Sequence, residues 1–216
     1  MKSMDDSIDE FLSDYPGMSR APSLSDDICL RGKFRFKASV CGDNDIQDDY
    51  RLEIKFSSRF PRNIPVVREV GDKIPRNGDY HVNGDGSLCL GSPLRLLLKI
   101  RKNPGVGGFV DSCLIPYLYA VSHKLKYGGE FVFGELKHQQ PGMIEDYIDI
   151  LGLHDEAGIR EAVSLLAIKK RIANKKTCPC GCGKRLGVCP FHHKLNELRK
   201  AAPVSWFRQH AKMLVE

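Results

Sequence analysis

Two stretches of alternating apolar and charged residues constrain the fold of this chain most strongly. In segment 29–40, apolar residues such as Leu30 and Phe34 share one parity while lysines and arginines take the other, and segment 50–56 alternates in the same way. A period of two puts one face of a strand on a core and the other in solvent. A Gly-Asp-Asn-Asp turn at 42–45 lies between the stretches. They are therefore predicted to form an antiparallel hairpin.

The remaining pattern predicts an α+β domain. A polar linker runs through Asp27, and a glycine-rich loop spans 103–108. Helix, strands and then helices, in that order, indicate an antiparallel meander sheet with flanking helices. Apolar spacing predicts a third strand at 66–70 and helices at 5–14, from 94 to 98, 114–125, 143–151 and 155–173.

Length and charge bound the class of protein. A chain of 216 residues is long enough for one full core and a small accessory module. No run approaches the roughly 18 apolar residues of a membrane span, and the N-terminal segment is acidic, so we expect a cytoplasmic protein with reduced cysteines and no membrane partner. Residues 160–216 carry thirteen basic and three acidic side chains, a net charge of +10. Such a tail could contact nucleic acid or an acidic partner, but a solvated lysine-rich helical face is the preferred interpretation.

Cys89 is the candidate nucleophile. It ends the glycine-rich stretch 81–89, which also contains His81 and Asn83. A thiol attacks acyl groups when a turn exposes it and nearby polar groups stabilise charge on the attacked carbonyl. The alternative is a buried cysteine at the end of a strand, but neighbouring glycine and serine favour an exposed turn.

A second cysteine group lies near the C-terminus. Residues 178–193 contain four cysteines and two histidines, which are six candidate zinc ligands within sixteen residues. In a cytosolic chain such clustering favours a metal over a disulfide or redox use. Four strong ligands leave no open position, so a closed structural Zn²⁺ site is expected rather than a catalytic one.

One ordered series of motifs resembles the ubiquitin-conjugating enzymes, the UBC fold, and in particular their diverged prokaryotic relatives. It covers roughly residues 5–150. The series consists of the N-terminal helix, the hairpin, Phe60-Pro61 with Ile64-Pro65, Ile74-Pro75, His81-x-Asn83, and the segment from Asp85 to Leu90 that contains Cys89. In that family a His-Pro-Asn tripeptide precedes a glycine and the active-site cysteine; Val82 stands here in place of the proline.

This resemblance implies a thioester mechanism. Cys89 would accept the C-terminal acyl group of a ubiquitin-like protein from an activating enzyme and pass it to an amine of a protein substrate. Asn83 maps onto the asparagine that supports the loop or the oxyanion, and His81 onto a histidine that braces the loop. His138, on a polar loop, is a candidate base or simply a solvated histidine.

The C-terminal cysteines resemble the SEC-C motif, a small zinc knuckle. Cys178, Cys180 and Cys189 coincide with its first three ligands. Pro190 occupies the fourth ligand's place, so the fourth ligand is expected to be His192, then His193, with Cys182 as third choice. The predicted organisation is a UBC-like domain at 1–152 and a basic helical tail at 153–216, with the knuckle at about 178–193.

The resemblance leaves the biological role open. Prokaryotic relatives commonly lie in antiviral defence operons, where the acyl donor is a ubiquitin-like protein or a nucleotidyltransferase. Two alternatives remain: an inactive UBC-like adaptor that binds partners through the knuckle, and a zinc-containing nucleic-acid-binding protein. For the knuckle, with Trp206 and Phe207 in the following helix, protein docking is preferred over nucleic acid.

Overall fold

The computed structural model describes residues 3–23, 26–40, 45–132 and 140–214. The chain forms two compact units, Met1–Glu135 and Leu136–Glu216. The boundary drawn from the sequence lies later, after residue 152, because the helix that ends at Leu151 was assigned to the first domain. The expected turn at 42–45 falls largely outside the described residues, and His138 lies outside them entirely.

The first unit is built on a four-stranded antiparallel meander. Its strands are β1 Met18–Ala21, β2 Ile28–Ala38, β3 Ile46–Phe56 and β4 Val66–Glu69, in that order across the sheet. The predicted hairpin is confirmed: β2 pairs with β3, and Phe34 lies opposite Tyr50. The side chains of Leu30, Phe34 and Tyr50 are at most 1% exposed, as the alternation indicated.

Strand β1 corrects the expectation of a polar linker after the first helix. Only Met18 of its four residues is buried, which is too short a pattern to read as alternation. The strand approaches β2 closely because two glycines meet there. The N–H of Lys33 donates to the carbonyl of Gly17 over 2.8 Å. A Cβ on Gly32 would lie 2.2 Å from that same carbonyl oxygen.

Helix α1, Met4–Asp14, packs its apolar residues into the core of the first unit. Ser3 caps it in a reciprocal box with Asp6. Ile8 and Phe11 are buried, and the ring of Phe11 stacks 6.4 Å from that of Phe34 on β2. The predicted N-terminal helix is thus present and lies against the sheet.

Three helices and a π-helical turn follow the sheet: α2 Pro93–Lys102, α3 Val106–Phe109, the turn Val110–Leu114, and α4 Ile115–Tyr127. Pro116 lies in the first turn of α4, where a missing N–H is tolerated. The glycine-rich loop expected at 103–108 is shorter than predicted because Val106 begins α3. Its N–H donates to the Ser7 hydroxyl over 2.8 Å, which ties α3 to α1.

The second unit is helical. It contains α5 Gln140–Leu151, α6 Glu156–Leu166, α7 Lys170–Ala173, α8 Phe191–Ala201 and α9 Val204–Met213. The single helix predicted at 155–173 is divided after Leu166. There the Arg199 guanidinium donates to the carbonyls of Leu165, Leu166 and Ile168. These carbonyls at the end of α6 therefore have hydrogen-bond partners without another turn of helix.

Among the described residues, no helix combines the length and apolar character that crossing a bilayer requires.

Candidate functional site

A small hairpin on the edge of β4 positions Cys89. Val82 and Leu88 form an antiparallel bridge, and the Cys89 N–H donates to the carbonyl of His81 over 2.8 Å. The Leu88 N–H donates to the carbonyl of Val67 on β4, also over 2.8 Å. The cysteine backbone is therefore fixed both by its own hairpin and by the sheet.

The tip of this hairpin is a polar turn. The Asn83 and Ser87 backbones are joined by a 2.8 Å hydrogen bond, and the Asn83 amide donates to the Ser87 hydroxyl over 3.0 Å. The carboxylate of Asp85 accepts from both the N–H and the hydroxyl of Ser87, and the Ser87 side chain is the main cause that lowers the Asp85 pKa. Arg68 on β4 adds an ion pair of 3.1 Å. These bonds give the tip a defined shape.

The Cys89 side chain is half-buried and lies at the base of the hairpin. It differs in this from Cys29 and Cys113, which are 4% and 1% exposed. Helix α2 begins four residues later with Pro93. Tyr117 is placed near this segment, because its hydroxyl donates to the carbonyl of Tyr80 and the next residue, His81, accepts the Cys89 N–H. Burial raises the pKa of the Tyr117 hydroxyl, and a charge on Cys89 raises it further. A thiol in this position is accessible, although it is not at the loop tip that the sequence suggested.

His81 supports the loop through its backbone and its ring. It adopts a left-handed conformation with φ of 52°, and its carbonyl accepts the Cys89 N–H. Its imidazole meets the Phe131 ring edge-on, with 4.6 Å between the centroids. This geometry suits the bracing role predicted for the histidine.

Asn83 is the residue whose predicted role meets a competing contact. Its amide nitrogen donates one of its two N–H groups to the Ser87 hydroxyl, so one N–H is left for an oxyanion, but the bond holds the amide at the hairpin tip while Cys89 lies at the base. Sequence reasoning did not single out Tyr117, because it lies 28 positions after Cys89 on α4 and only the fold brings the two together.

The second site is a cluster of four thiols in the second unit. The sulfur atoms of Cys178, Cys180, Cys182 and Cys189 all lie within 4.8 Å of one another. The Cys178 and Cys180 sulfurs are 3.2 Å apart, and those of Cys180 and Cys189 are 3.6 Å apart. Zn–S bonds of about 2.3 Å in a tetrahedron hold sulfurs about 3.8 Å apart, so the spacing fits a metal ion.

Backbone N–H groups surround these sulfurs in a repeating pattern. The N–H of Cys180 donates to the Cys178 sulfur, that of Cys182 to the Cys180 sulfur, and that of Lys184 to the Cys182 sulfur. The Lys184 N–H lowers the pKa of Cys182 to about 7, whereas burial raises the pKa of Cys178. Donors aimed at sulfur stabilise thiolates, the form that binds metal.

A short hairpin contains Cys178, Cys180 and Cys182, and a turn after it brings Cys189 to the same cluster. The Cys178 N–H donates to the Lys184 carbonyl over 2.9 Å, with Gly181 and Gly183 at positive φ in the turn between them. A 3₁₀ turn, Leu186–Val188, then brings Cys189 back. Glycine is the residue that adopts such turns without strain.

The cluster changes the expected fourth ligand. Cys182, the third choice from the sequence, completes the group, while His192 and His193 lie outside it. The His192 Nδ1 instead lies 2.7 Å from the carbonyl of Cys189, and both histidines fall in the first turn of α8. Pro190 is the residue from which this could have been predicted. It is the N-cap of α8, so a helix begins immediately after Cys189 and includes both histidines.

Comparisons of the chain with protein-family models, with curated proteins and with solved structures give no match.

Proposed function

We propose that the chain is a ubiquitin-conjugating-like transferase that carries an acyl group as a thioester on Cys89. The observation that carries this proposal is the accessible, backbone-anchored thiol between a four-stranded antiparallel meander and helix α2. The order of elements, N-terminal helix, meander, thiol loop and helices, is the order that the family resemblance implies.

The reaction assigned to this site has two balanced steps. The Cys89 thiolate attacks the carbonyl of an activated C-terminal thioester and forms a new C–S bond, while the C–S bond to the activating enzyme breaks and releases that enzyme's cysteine as a thiolate. An amine of the acceptor then attacks the Cys89 thioester, loses a proton and releases the Cys89 thiolate. The acyl donor is a ubiquitin-like protein or a nucleotidyltransferase with a free C-terminus, and a bacterial antiviral role goes with that choice.

For the second unit we propose a structural Zn²⁺ bound by Cys178, Cys180, Cys182 and Cys189. Four thiolate ligands, the sulfur spacing and, among the residues that the structure describes, a group without carboxylates support zinc over an oxygen-preferring cation. Such an ion would cross-link the hairpin to the start of α8 and stabilise a segment that has little apolar core.

A non-catalytic adaptor is the second candidate. One observation favours it, namely the hydrogen bond between the Asn83 amide and the Ser87 hydroxyl, which holds at the hairpin tip the amide expected to stabilise the oxyanion beside Cys89. In that case the first unit would bind a carrier protein without transferring its acyl group.

The test is thioester exchange. The zinc-loaded chain is mixed with a ubiquitin-like protein bearing a C-terminal thioester, and the products are separated on a non-reducing gel. We expect an adduct that a thiol reductant removes and that Cys89→Ala abolishes. Cys113→Ala, which removes a buried thiol, is the matched control and should retain the adduct. An adduct that survives Cys89→Ala would contradict the transferase, and an unreactive but carrier-binding protein would favour the adaptor.

A further inference from the structure

Residues 162–196 contain eight basic side chains and no aspartate or glutamate. All eight are exposed, and among the described residues none of them makes an ion pair or a side-chain hydrogen bond. In the first unit, by contrast, exposed lysines such as Lys33 and Lys37 pair with aspartates. We name the eight the basic surface: Lys169, Lys170, Arg171, Lys175, Lys176, Lys184, Arg185 and Lys194.

The cysteine hairpin brings separate parts of this sequence together. The Leu186 N–H donates to the carbonyl of Lys176 over 2.8 Å, and Thr177 and Arg185 form an antiparallel bridge. The Gly187 N–H donates to the carbonyl of Asn174 over 3.0 Å, just after α7. The backbones of 176–178 and 184–186 therefore run side by side, which places Lys176, Lys184 and Arg185 on one hairpin.

The charge of this scaffold stays high when a metal is bound. A zinc ion with four thiolates has a net charge of −2, so eight cations leave a local charge of +6. An uncompensated surface of this size raises the local concentration of polyanions. The protein-docking alternative loses support, because Phe207 is 1% exposed and Trp206 packs against it with 5.0 Å between the ring centroids.

We propose that the basic surface binds the phosphate backbone of double-stranded nucleic acid without sequence preference. Six of its eight cations are lysines, which contact phosphates as point charges rather than reading base edges. Single-stranded binding relies on aromatic stacking, yet the described residues 162–196 contain one phenylalanine, the half-buried Phe191, and no tyrosine or tryptophan. A membrane surface fits less well, since the cationic helix α7 has only four residues.

Fluorescence anisotropy of the full zinc-loaded chain with a labelled 20-base-pair random duplex tests this. Binding should weaken as salt rises from 50 to 200 mM, with a log–log slope of about 0.9 per phosphate contact. Combining Lys170→Gln, Lys175→Gln, Lys176→Gln and Lys184→Gln should weaken binding at least about tenfold at low salt and reduce that slope.

The matched control removes the same charge elsewhere, by Arg62→Gln, Lys102→Gln, Lys126→Gln and Lys212→Gln, all at exposed positions. It should bind duplex as the unmodified chain does, with zinc content and thermal unfolding showing that both variants fold. Equal losses in both variants, no binding at 50 mM salt, or tighter binding to phosphatidylserine vesicles than to duplex would each overturn the proposal. Cys89→Ala should leave duplex binding unchanged, so this result and that of the thioester test are independent.

Discussion

His210 is a buried histidine that is held neutral. Its side chain is 4% exposed, and burial lowers its pKa to about 4. The Tyr147 hydroxyl lies 2.6 Å from its Nε2, and the Trp206 ring stacks 4.7 Å from the imidazole. A neutral imidazole satisfies Tyr147 as a partner, while a second proton would place an uncompensated charge in the packed interior.

This histidine should make the stability of the second unit depend on pH. A lowered folded-state pKa means that the unfolded chain binds more protons, so stability is complete above about pH 6.5 and falls as the pH drops towards about 4. The loss should be on the order of 2–3 kcal/mol. Urea unfolding at pH 7 and pH 4.5 checks this. His210→Gln should flatten the dependence, and an unchanged slope in that variant would assign it to other groups.

At the scale of elements, the contact between β1 and β2 depends on a residue without a side chain. Gly32 has a φ of 153°, and an added Cβ would meet the Gly17 carbonyl oxygen at 2.2 Å and the Met18 Cα at 2.9 Å. Because both obstacles are backbone atoms, the strand itself would have to move.

Gly32→Ala should therefore destabilise the first unit by about 2–4 kcal/mol, from backbone strain and the displaced strand. The matched control is Gly107→Ala in α3, where nothing lies within 4 Å of the added Cβ. It should be neutral or stabilise by up to about 1 kcal/mol, because alanine has the higher helix propensity. Denaturant midpoints and slopes distinguish the two; equal effects would show that the close approach is unimportant.

The cysteine hairpin makes an equally specific prediction about metal binding. Cys182→Ser removes one of the four clustered sulfurs and should weaken zinc binding by about 100-fold or more in a chelator competition. The double variant His192→Ala/His193→Ala should bind zinc as the unmodified chain does, since neither imidazole belongs to the group. Loss of zinc only in the histidine variant would contradict this ligand set and support a histidine as the fourth ligand.

For the whole molecule, the sequence predicted the elements in which a hydrophobic pattern repeats several times and missed those in which it occurs once. The hairpin was predictable because eleven-residue strands β2 and β3 each show several alternations, whereas β1 shows a single buried residue. The cysteine cluster was predictable from composition, but spacing could not choose between Cys182 and His192. That choice depends on the helix that begins after Pro190. The position of Tyr117 near the Cys89 segment depends on how α4 packs, which no local pattern predicts.

Helix α4 also determines how rigid the segment before Cys89 is. The Tyr117 hydroxyl donates to the carbonyl of Tyr80 over 2.7 Å, and the Lys124 ammonium donates to the carbonyl of Asp79 over 3.0 Å. These two bonds clamp the chain immediately ahead of His81, the residue that anchors the cysteine backbone. Under the proposed function, a carrier that docks at Cys89 would meet a rigid segment, and the flexibility that docking requires would come from the carrier.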